Sequence, residues 1–364
     1  MTVQRERRVE IQWLRAVAAC EVVICHSSLL TKHFTSSVPI PAWYQPLSAI
    51  GVELFFIVSG YVICMRVGES DGARPFLVAR ILRLYPMYWI FTCVAVLAYL
   101  LNPAWHLNNF TFELLPMAKS FLILPQTGFP ILGVGWTLEH EMVFYVFVAV
   151  MLLTIGGSNR AKLSLAWLLA GLGAVGAVLG TPPHPLIAGA PGADSTALLS
   201  HVFSPFMFAF GLGWLARVLE DGRSSKLWID VLPFILFAIG ALWLAPEWGR
   251  LPLLRIAIAA LVFAGFLACR GRFADTPLNR LIWQLGDASF SIYLSHWFLL
   301  SAGGKLMGHL DPPDWLELPV RIVGVGASIA FGLVVFLLIE KPLDRKLRRR
   351  PATLPVAAPV PSAP

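Results

Sequence analysis

The sequence predicts an all-α, polytopic integral membrane protein with about ten transmembrane helices around an interior cavity. Hydrophobic residues make up 57% of the 364 residues and charged residues only 13%, against about 25% charged residues in soluble domains. Apolar runs long enough to cross ~30 Å of hydrocarbon recur along the chain. Lysine and arginine gather in the connections between these runs, which is how membrane topology is encoded. A soluble globular protein is therefore excluded.

The chain is predicted to be a multi-pass membrane protein in which about ten apolar runs cross the membrane and both termini lie in the cytoplasm. With the N-terminus inside, the cytoplasmic connections are basic, whereas the outer connection at 308–318 is acidic. This pattern requires an even number of crossings, and the expected location is a bacterial-type inner (cytoplasmic) membrane. The predicted spans are residues 11–32, 49–66, 86–102, 134–155, 162–180, 199–217, 229–246, 251–269, 287–307 and 319–340.

The two ends of the chain are interpreted separately from the spans. RERR before an apolar run resembles a signal peptide, but Arg15 and Glu21 interrupt the uncharged stretch that such a peptide needs. We therefore expect the first helix to be retained. Residues 348–364 are rich in proline and alanine and are expected to be a disordered cytoplasmic tail. Residues 1–347 are predicted to form one membrane domain.

Other segments indicate structure and not chemistry. The apolar stretch 112–125 is too short to cross and is expected to be interfacial or re-entrant. The glycine-rich stretch 171–180 lacks the Lys-Ser/Thr end of a phosphate loop, which favours close helix packing. The five cysteines show no paired spacing, so neither disulfides nor a metal site is predicted. The net charge of +7 does not indicate nucleic-acid binding, because the basic residues lie in membrane connections.

The first span contains an ionisable residue at a depth that needs an explanation. His26 lies eleven positions after Arg15, so at 100° per residue the two share a face to within about 20°. A histidine bonded to a neighbouring helix for packing is the structural alternative. Inside a membrane, however, an ionisable residue is by default a candidate functional residue.

Two later spans carry similar insertions. GVGWTLEHEMVFY places Glu139, His140 and Glu141 near the outer end of one helix, with Tyr145 one turn after Glu141. The structural alternative is an interfacial helix end, where Trp136 anchors the helix and the acids meet water. SFSIYLSHWFLL places Tyr293 and His296 three residues apart on one face near mid-membrane. Polar groups at similar depth in three helices predict a shared interior cavity.

An arginine pair follows the second span. In FLVARILRLYPMYW, Arg80 and Arg83 are three residues apart on a helical turn, and Pro86 is predicted to begin the third span. The enrichment of arginine on the cytoplasmic side of membrane proteins explains the pair equally well, without any binding role. Two guanidinium groups on one face at a helix mouth also have the geometry of a phosphate clamp.

Six stretches, taken in order, resemble motifs of the integral-membrane acyltransferase 3 family, and in particular the succinoglycan-type exopolysaccharide O-acetyltransferases. Together they extend over about 10–347, nearly the whole chain. The stretches are IQWLRAVAACEVVICH, GVELFFIVSGYVI, FLVARILRLYP, GWTLEHEMVFY, SFSIYLSHW and EKPLDRKL.

The resemblance implies transfer of an acyl group, usually acetyl from acetyl-CoA, to a sugar hydroxyl of a polysaccharide or its lipid-linked precursor. It implies that His26 is the essential histidine and that Arg80 and Arg83 are linked to CoA. Other motif positions imply that Arg15 also binds the donor and that Glu141 is a catalytic residue. They further imply substrate-cavity roles for Ser59, Tyr145, Tyr293 and His296. One departure is Glu139-His140, where relatives carry uncharged or Asn-Tyr residues, so either Glu139 or Glu141 could face the cavity.

The leading hypothesis is an O-acyltransferase in which His26 is the base, because burial disfavours the charged form of an imidazole. Glu141 or a nearby polar group would orient its tautomer, and the donor would dock on Arg80 and Arg83 from the cytoplasm.

The expected partners are a carbohydrate acceptor and membrane lipid, with a polysaccharide-assembly complex or homo-oligomer also compatible. The alternatives are a polytopic transporter of an acyl group or glycan intermediate, which predicts repeat symmetry between halves, and a non-catalytic membrane scaffold, which leaves the motifs unexplained.

Overall fold

The computed structural model describes residues 8–32, 34, 50–67, 72–102, 112–126, 128–181, 196–222, 247–270 and 276–347, together with 235, 239–240, 243–244 and 273. Within these ranges all regular structure is helical, which agrees with the predicted all-α class. The predicted tail at 348–364 and most of the predicted span at 229–246 lie outside the described residues.

Twelve α-helices are labelled in chain order within the described ranges, and a π-helical turn separates the last two. Three 3₁₀ turns, Ser27–Leu29, Gly133–Gly135 and Asp314–Leu316, precede or follow α-helices. The helices are α1 Val9–His26, α2 Ile50–Val67, α3 Ala73–Leu101, α4 Leu114–Leu122, α5 Trp136–Thr154, α6 Asn159–Val178, α7 Ala197–Val202, α8 Pro205–Gly222, α9 Glu247–Ala268, α10 Pro277–Leu310, α11 Glu317–Val335, the π turn Phe336–Glu340 and α12 Lys341–Leu347.

Seven helical segments of the described chain are long and apolar enough to cross a membrane, and each overlaps a predicted span. The protein is therefore a multi-pass membrane protein. Two further predicted spans, 11–32 and 287–307, correspond to α1 and α10, which contain more polar side chains. The seven segments are Ile50–Val67, Ala73–Leu101, Gly133–Thr154, Asn159–Val178, Ala197–Glu220, Leu251–Ala268 and Asp314–Leu347.

Helix α1 ends earlier than the span predicted at 11–32. It ends at His26, and the chain tightens into the 3₁₀ turn Ser27–Leu29. The Ser27 hydroxyl donates to the Ile24 carbonyl at 2.6 Å and so satisfies one of the carbonyls that a helix end leaves open. His26 is thus the last residue of α1 and not a mid-helix residue.

Helix α3 corrects the prediction that Pro86 begins a span. The helix begins at Ala73 and continues through Pro86 to Leu101, so Arg80 and Arg83 lie within it. Proline removes one backbone hydrogen bond, which neighbouring groups can compensate inside a membrane protein. Here Tyr88 and Trp89 tie this part of α3 to α4, donating to the Ser120 and Phe121 carbonyls at 2.9 and 2.8 Å.

The last predicted span, 319–340, is also longer in the structure. Helical structure continues through the π turn into α12 and ends at Leu347. Pro342 has no N–H to donate to the carbonyl four residues earlier, and a π turn is one way in which a helix accommodates this loss. The turn directs the buried carboxylate of Glu340 toward α10, where Ser291 donates to it.

Close helix contacts hold the framework around the site. Helix α1 packs between α2 and α10, while α8 packs against both α2 and α6. In the glycine-rich stretch of α6, Gly173 and Gly176 face Phe208 and the backbone of Phe203 so closely that a Cβ atom would collide. This agrees with the predicted packing role of 171–180. The polar helices α1 and α10 pack directly against each other.

Candidate active site

A pair of histidines joins α1 to α10. Nε2 of His296 lies 3.1 Å from Nδ1 of His26, and their ring centroids are 5.1 Å apart. The ring of Trp297 contacts His26 edge-to-face at 5.2 Å. His296 is completely buried, whereas His26 retains partial exposure. The two predicted site residues therefore lie side by side.

The backbone fixes where the protons of this pair sit. Nδ1 of His296 lies 3.2 Å from the Ile292 carbonyl oxygen, which can only accept a hydrogen bond. Nδ1 of His296 must then carry the proton, and in the neutral ring Nε2 is an acceptor. Nδ1–H of His26 donates to that acceptor, which leaves Nε2 of His26 with an unprotonated lone pair. This nitrogen is available to act as a base.

Tyr293 stands beside the histidine pair, with its ring centroid 5.9 Å from that of His296. Its hydroxyl lies 2.8 Å from the Thr137 hydroxyl and donates to the Val134 carbonyl at 2.8 Å. These bonds connect α10 to the beginning of α5. The predicted face shared by Tyr293 and His296 is present, and Thr137, which sequence reasoning missed, joins it.

A second polar cluster lies toward the Arg15 end of α1. Glu141 accepts hydrogen bonds from the hydroxyls of Ser59, at 2.9 Å, and Tyr145. Arg80 and Arg83 interact electrostatically with Tyr145. Arg15 in turn interacts electrostatically with Arg83 and Glu141. The structure thus gathers the predicted residues of α1, α2, α3 and α5 into one group.

The two clusters are separated along α1. His26 lies eleven residues after Arg15, which corresponds to ~16 Å of helix at ~1.5 Å per residue. Glu141 lies one turn beyond Thr137 in α5, so the helix continues from the histidine end toward the arginine end. We call the first group the histidine pair (His26 and His296) and the second the arginine cluster (Arg15, Arg80 and Arg83).

The structure distinguishes the two acids that the sequence left open. Glu139 is bound in a separate network, in which the Gln126 side chain donates to it at 2.9 Å and His201 Nε2 lies 3.1 Å away. Glu141, in contrast, lies in the group that contains the arginines. Neither carboxylate orients His26; His296 occupies that position. Of the two predicted alternatives, Glu141 or a nearby polar group, the geometry therefore favours the second, with His296 as that group.

His201 provides a comparison for the base. Its Nδ1 lies 2.8 Å from the Ala197 carbonyl and its Nε2 faces Glu139, so both ring nitrogens are engaged. Glu139 and His201 are 1% and 4% exposed. This network joins α5 to α7 and has no nitrogen left for a substrate. Of these two imidazole arrangements, only the histidine pair offers a free lone pair.

Two acidic residues beside the arginine cluster, Glu340 and Asp287, were missed as site residues in sequence reasoning. Glu340 forms an ion pair with Arg83 and accepts a hydrogen bond from Ser291 at 2.5 Å. Asp287 accepts a hydrogen bond from Gln12 at 3.0 Å, and Gln12 in turn accepts one from Arg15 at 3.3 Å. The sequence signal was present, since acids within or at the end of apolar runs are functional candidates. In the described part of the chain, no group of three or more His, Cys, Asp or Glu side chains could hold a metal ion.

Comparisons with known proteins agree with the earlier resemblance. A family model described as an acyltransferase domain matches residues 8–337. The chain is 26% identical over 333 residues to the exopolysaccharide production protein ExoZ of Rhizobium meliloti (strain 1021), covering 85% of this chain and 94% of that protein. No solved structure matches the chain significantly.

The chain is also similar to two further proteins. Nodulation protein 10 of Rhizobium leguminosarum bv. viciae is 30% identical over 360 residues, covering 90% of this chain and 91% of that protein. The peptidoglycan O-acetyltransferase OatA of Listeria monocytogenes serovar 1/2a (strain ATCC BAA-679 / EGD-e) is 24% identical over 371 residues, covering 92% of this chain and 55% of that protein.

Proposed function

Because this chain belongs to the acyltransferase domain family, we propose that it transfers an acetyl group from acetyl-CoA to a sugar hydroxyl of an exopolysaccharide or its lipid-linked precursor. The observation that carries the proposal is the 3.1 Å contact between His296 Nε2 and His26 Nδ1, which leaves Nε2 of His26 free as a base. The names of the relatives, which include an exopolysaccharide production protein and a peptidoglycan O-acetyltransferase, support an acceptor of this class.

The reaction needs one base and one proton donor. His26 Nε2 takes the proton of the sugar hydroxyl as its oxygen attacks the thioester carbonyl carbon. The tetrahedral intermediate collapses with breakage of the carbon–sulfur bond, and the proton on His26 passes to the leaving thiolate. The products are the sugar ester and the free thiol of CoA. His296 is a positioning residue, since it holds the His26 ring in the tautomer with a free Nε2.

The separation between the two clusters suits this donor. The pantetheine arm of CoA contains about twelve chain bonds, which is equivalent to about four extended residues, or ~14 Å. The histidine pair lies ~16 Å along α1 from Arg15. Phosphates at the arginine cluster would therefore place the thioester near His26. The hydroxyls of Ser59, Tyr145 and Tyr293, together with Glu141, would lie along the path between them.

Membrane placement follows the same proposal. The basic connections between the spans support a cytoplasmic position for the arginine cluster, where acetyl-CoA would bind. They support a position toward the outer side for the histidine pair, where a lipid-linked acceptor would arrive. We propose a bacterial-type inner membrane as the location. The chain would work either beside polysaccharide-assembly proteins or as a homo-oligomer.

The test is direct transfer by the purified protein. Protein in nanodiscs is incubated with acetyl-CoA and surface polysaccharide from cells that lack the gene, and ester formation is followed by mass spectrometry together with release of the CoA thiol. Both products are expected in equal amounts. Thiol release without ester, or ester formation that does not need acetyl-CoA, contradicts the proposal.

A further inference from the structure

The two arginines of α3 differ in their partners although they are three residues apart. Arg83 forms an ion pair with Glu340 through Nη1, lies 3.4 Å from Asp344 Oδ2 and stacks on the Phe290 ring at 5.3 Å. Arg80 has no carboxylate within 4 Å in the described part of the chain, and its Nε is buried without a hydrogen-bond partner. Arg83 is thus paired with carboxylates, whereas Arg80 has no carboxylate partner in the described part of the chain.

Glu340 is the centre of the Arg83 contacts. Its side chain is 1% exposed, and its second carboxylate oxygen accepts the 2.5 Å hydrogen bond from Ser291. The residue therefore connects α3, α10 and the π turn at one level. A carboxylate buried to this degree is stable only when it is paired, and here Arg83 is its cation.

The charge balance around Arg83 disfavours an anionic ligand there. Glu340 and Asp344 together carry two negative charges against one positive charge, so this group has a net charge of −1 when all three are ionised. A phosphate near Arg83 would meet two carboxylates as well as the guanidinium. Arg15 resembles Arg80 in this respect, since it has no carboxylate within 4 Å among the described residues and only a 3.3 Å hydrogen bond to Gln12.

We infer that Glu340 is a positioning residue that holds Arg83 as a structural cation, so that the phosphates of the donor bind Arg80 and Arg15 and not Arg83. The inference rests on the proposed function, because it assumes that the anionic ligand is the CoA donor. It assigns different tasks to two arginines that are indistinguishable by sequence spacing.

The inference predicts how neutral variants of the pair combine. Arg83→Gln leaves Glu340 without the cation with which it pairs, changes the net charge of the three residues from −1 to −2, and is expected to raise the Kd for CoA about tenfold. Arg83→Gln with Glu340→Gln restores the net charge of −1 and leaves no lone buried charge. We expect this double variant to bind CoA within about threefold of the wild-type Kd, a coupling that a double-mutant cycle measures.

Arg80 provides the matched control on the same helix. Arg80→Gln is expected to raise the Kd for CoA by about ten- to a hundredfold, the cost of a lost charge-assisted contact. Adding Glu340→Gln to it should change the Kd by the same factor as it does in the wild type, because Arg80 does not pair with Glu340. Recovery is thus expected in the Arg83 background and not in the Arg80 background.

The experiment measures CoA binding to purified protein in detergent by calorimetry, with thermal unfolding recorded for every variant. If the double variant binds CoA as weakly as Arg83→Gln while remaining folded, Arg83 is a direct phosphate ligand and the inference is wrong. If the wild type binds CoA but transfers no acetyl group, the proposed reaction fails while the assignment of the arginines is still decided by binding. If the wild type binds no CoA, both are overturned.

Discussion

His296 holds His26 by a hydrogen bond of 3.1 Å, and its own opposite nitrogen lies 3.2 Å from the Ile292 carbonyl. Since a carbonyl oxygen cannot donate, the direction of both hydrogen bonds follows from the backbone. The backbone of α10 therefore decides which nitrogen of His26 is free.

His26→Ala is expected to lower kcat by at least ~10²-fold, the usual contribution of a positioned general base. The measurement is acetyl transfer by purified protein, with thermal unfolding recorded in parallel. His201→Gln is the matched control, because both nitrogens of His201 are engaged within a structural network. It should lower thermal stability more than kcat. A folded His26→Ala protein with near-normal kcat would remove His26 from the base role.

His296→Gln and His296→Leu separate positioning from packing. The glutamine oxygen can take the place of Nε2 and accept the proton of His26 Nδ1, whereas leucine cannot. We expect kcat to fall ~10–100-fold in the leucine variant, as is typical when a supporting hydrogen bond is lost, and less in the glutamine variant. The KM for acetyl-CoA should stay nearly constant in both. Equal losses of kcat in two folded variants would contradict the positioning role.

Glu141→Ala and Glu141→Gln test the link between α2 and α5. Alanine leaves the hydroxyls of Ser59 and Tyr145 without an acceptor and is expected to lower the free energy of unfolding by about 1–3 kcal/mol. The glutamine oxygen still accepts both bonds, so this variant should keep most of its stability and activity. Differential scanning fluorimetry and transfer assays measure the two effects. A stable but inactive glutamine variant would show that the negative charge itself is required.

Two glycines of α6 test its tight contact with Phe203, which lies between α7 and α8. Gly176→Ala introduces a methyl group against the Phe203 backbone, where no flexible side chain can move aside. The expected loss is about 1–3 kcal/mol in the free energy of unfolding. Gly171→Ala is the control, since nothing lies within 4 Å of its added Cβ, and alanine is favoured over glycine in helices by up to ~1 kcal/mol. Equal stability of the two variants in thermal unfolding would contradict the packing account.

Membrane orientation can be checked with single cysteines in a background without the five native ones. The positive-inside pattern predicts that a cysteine at Arg160, at the exposed beginning of α6, is cytoplasmic. A cysteine at Pro313, exposed between α10 and α11, should face outward. A membrane-impermeant maleimide should label intact cells only at position 313. Labelling at position 160 would reverse the predicted topology and place the arginine cluster on the wrong side for a cytoplasmic donor.

Much of the architecture could be predicted because the length and apolarity of one continuous segment are enough to identify a membrane helix. Length and apolarity identified seven spans that the structure also contains. Predictions of helix ends from neighbouring residues were wrong at two places, in α3 and in α1. Pro86 does not begin a helix, since α3 runs through it from Ala73, and Tyr88 and Trp89 tie the helix to α4 just after this point. Conversely, α1 ends at His26 because serine hydroxyls take over its last carbonyls.

By itself, the sequence determined the helical membrane class, the family resemblance and the residue types of the site, because hydropathy, helical periodicity and motif order are properties of neighbouring residues. Only the tertiary structure decided which of these side chains form hydrogen bonds and ion pairs with one another. It brought His296 to His26 across 270 positions and Glu340 to Arg83 across 257. It also separated Glu139 from Glu141, two residues apart on one helix, into different networks. Hydrogen bonds and ion pairs depend on distances of a few ångströms between helices remote in sequence, and only their packing fixes those distances.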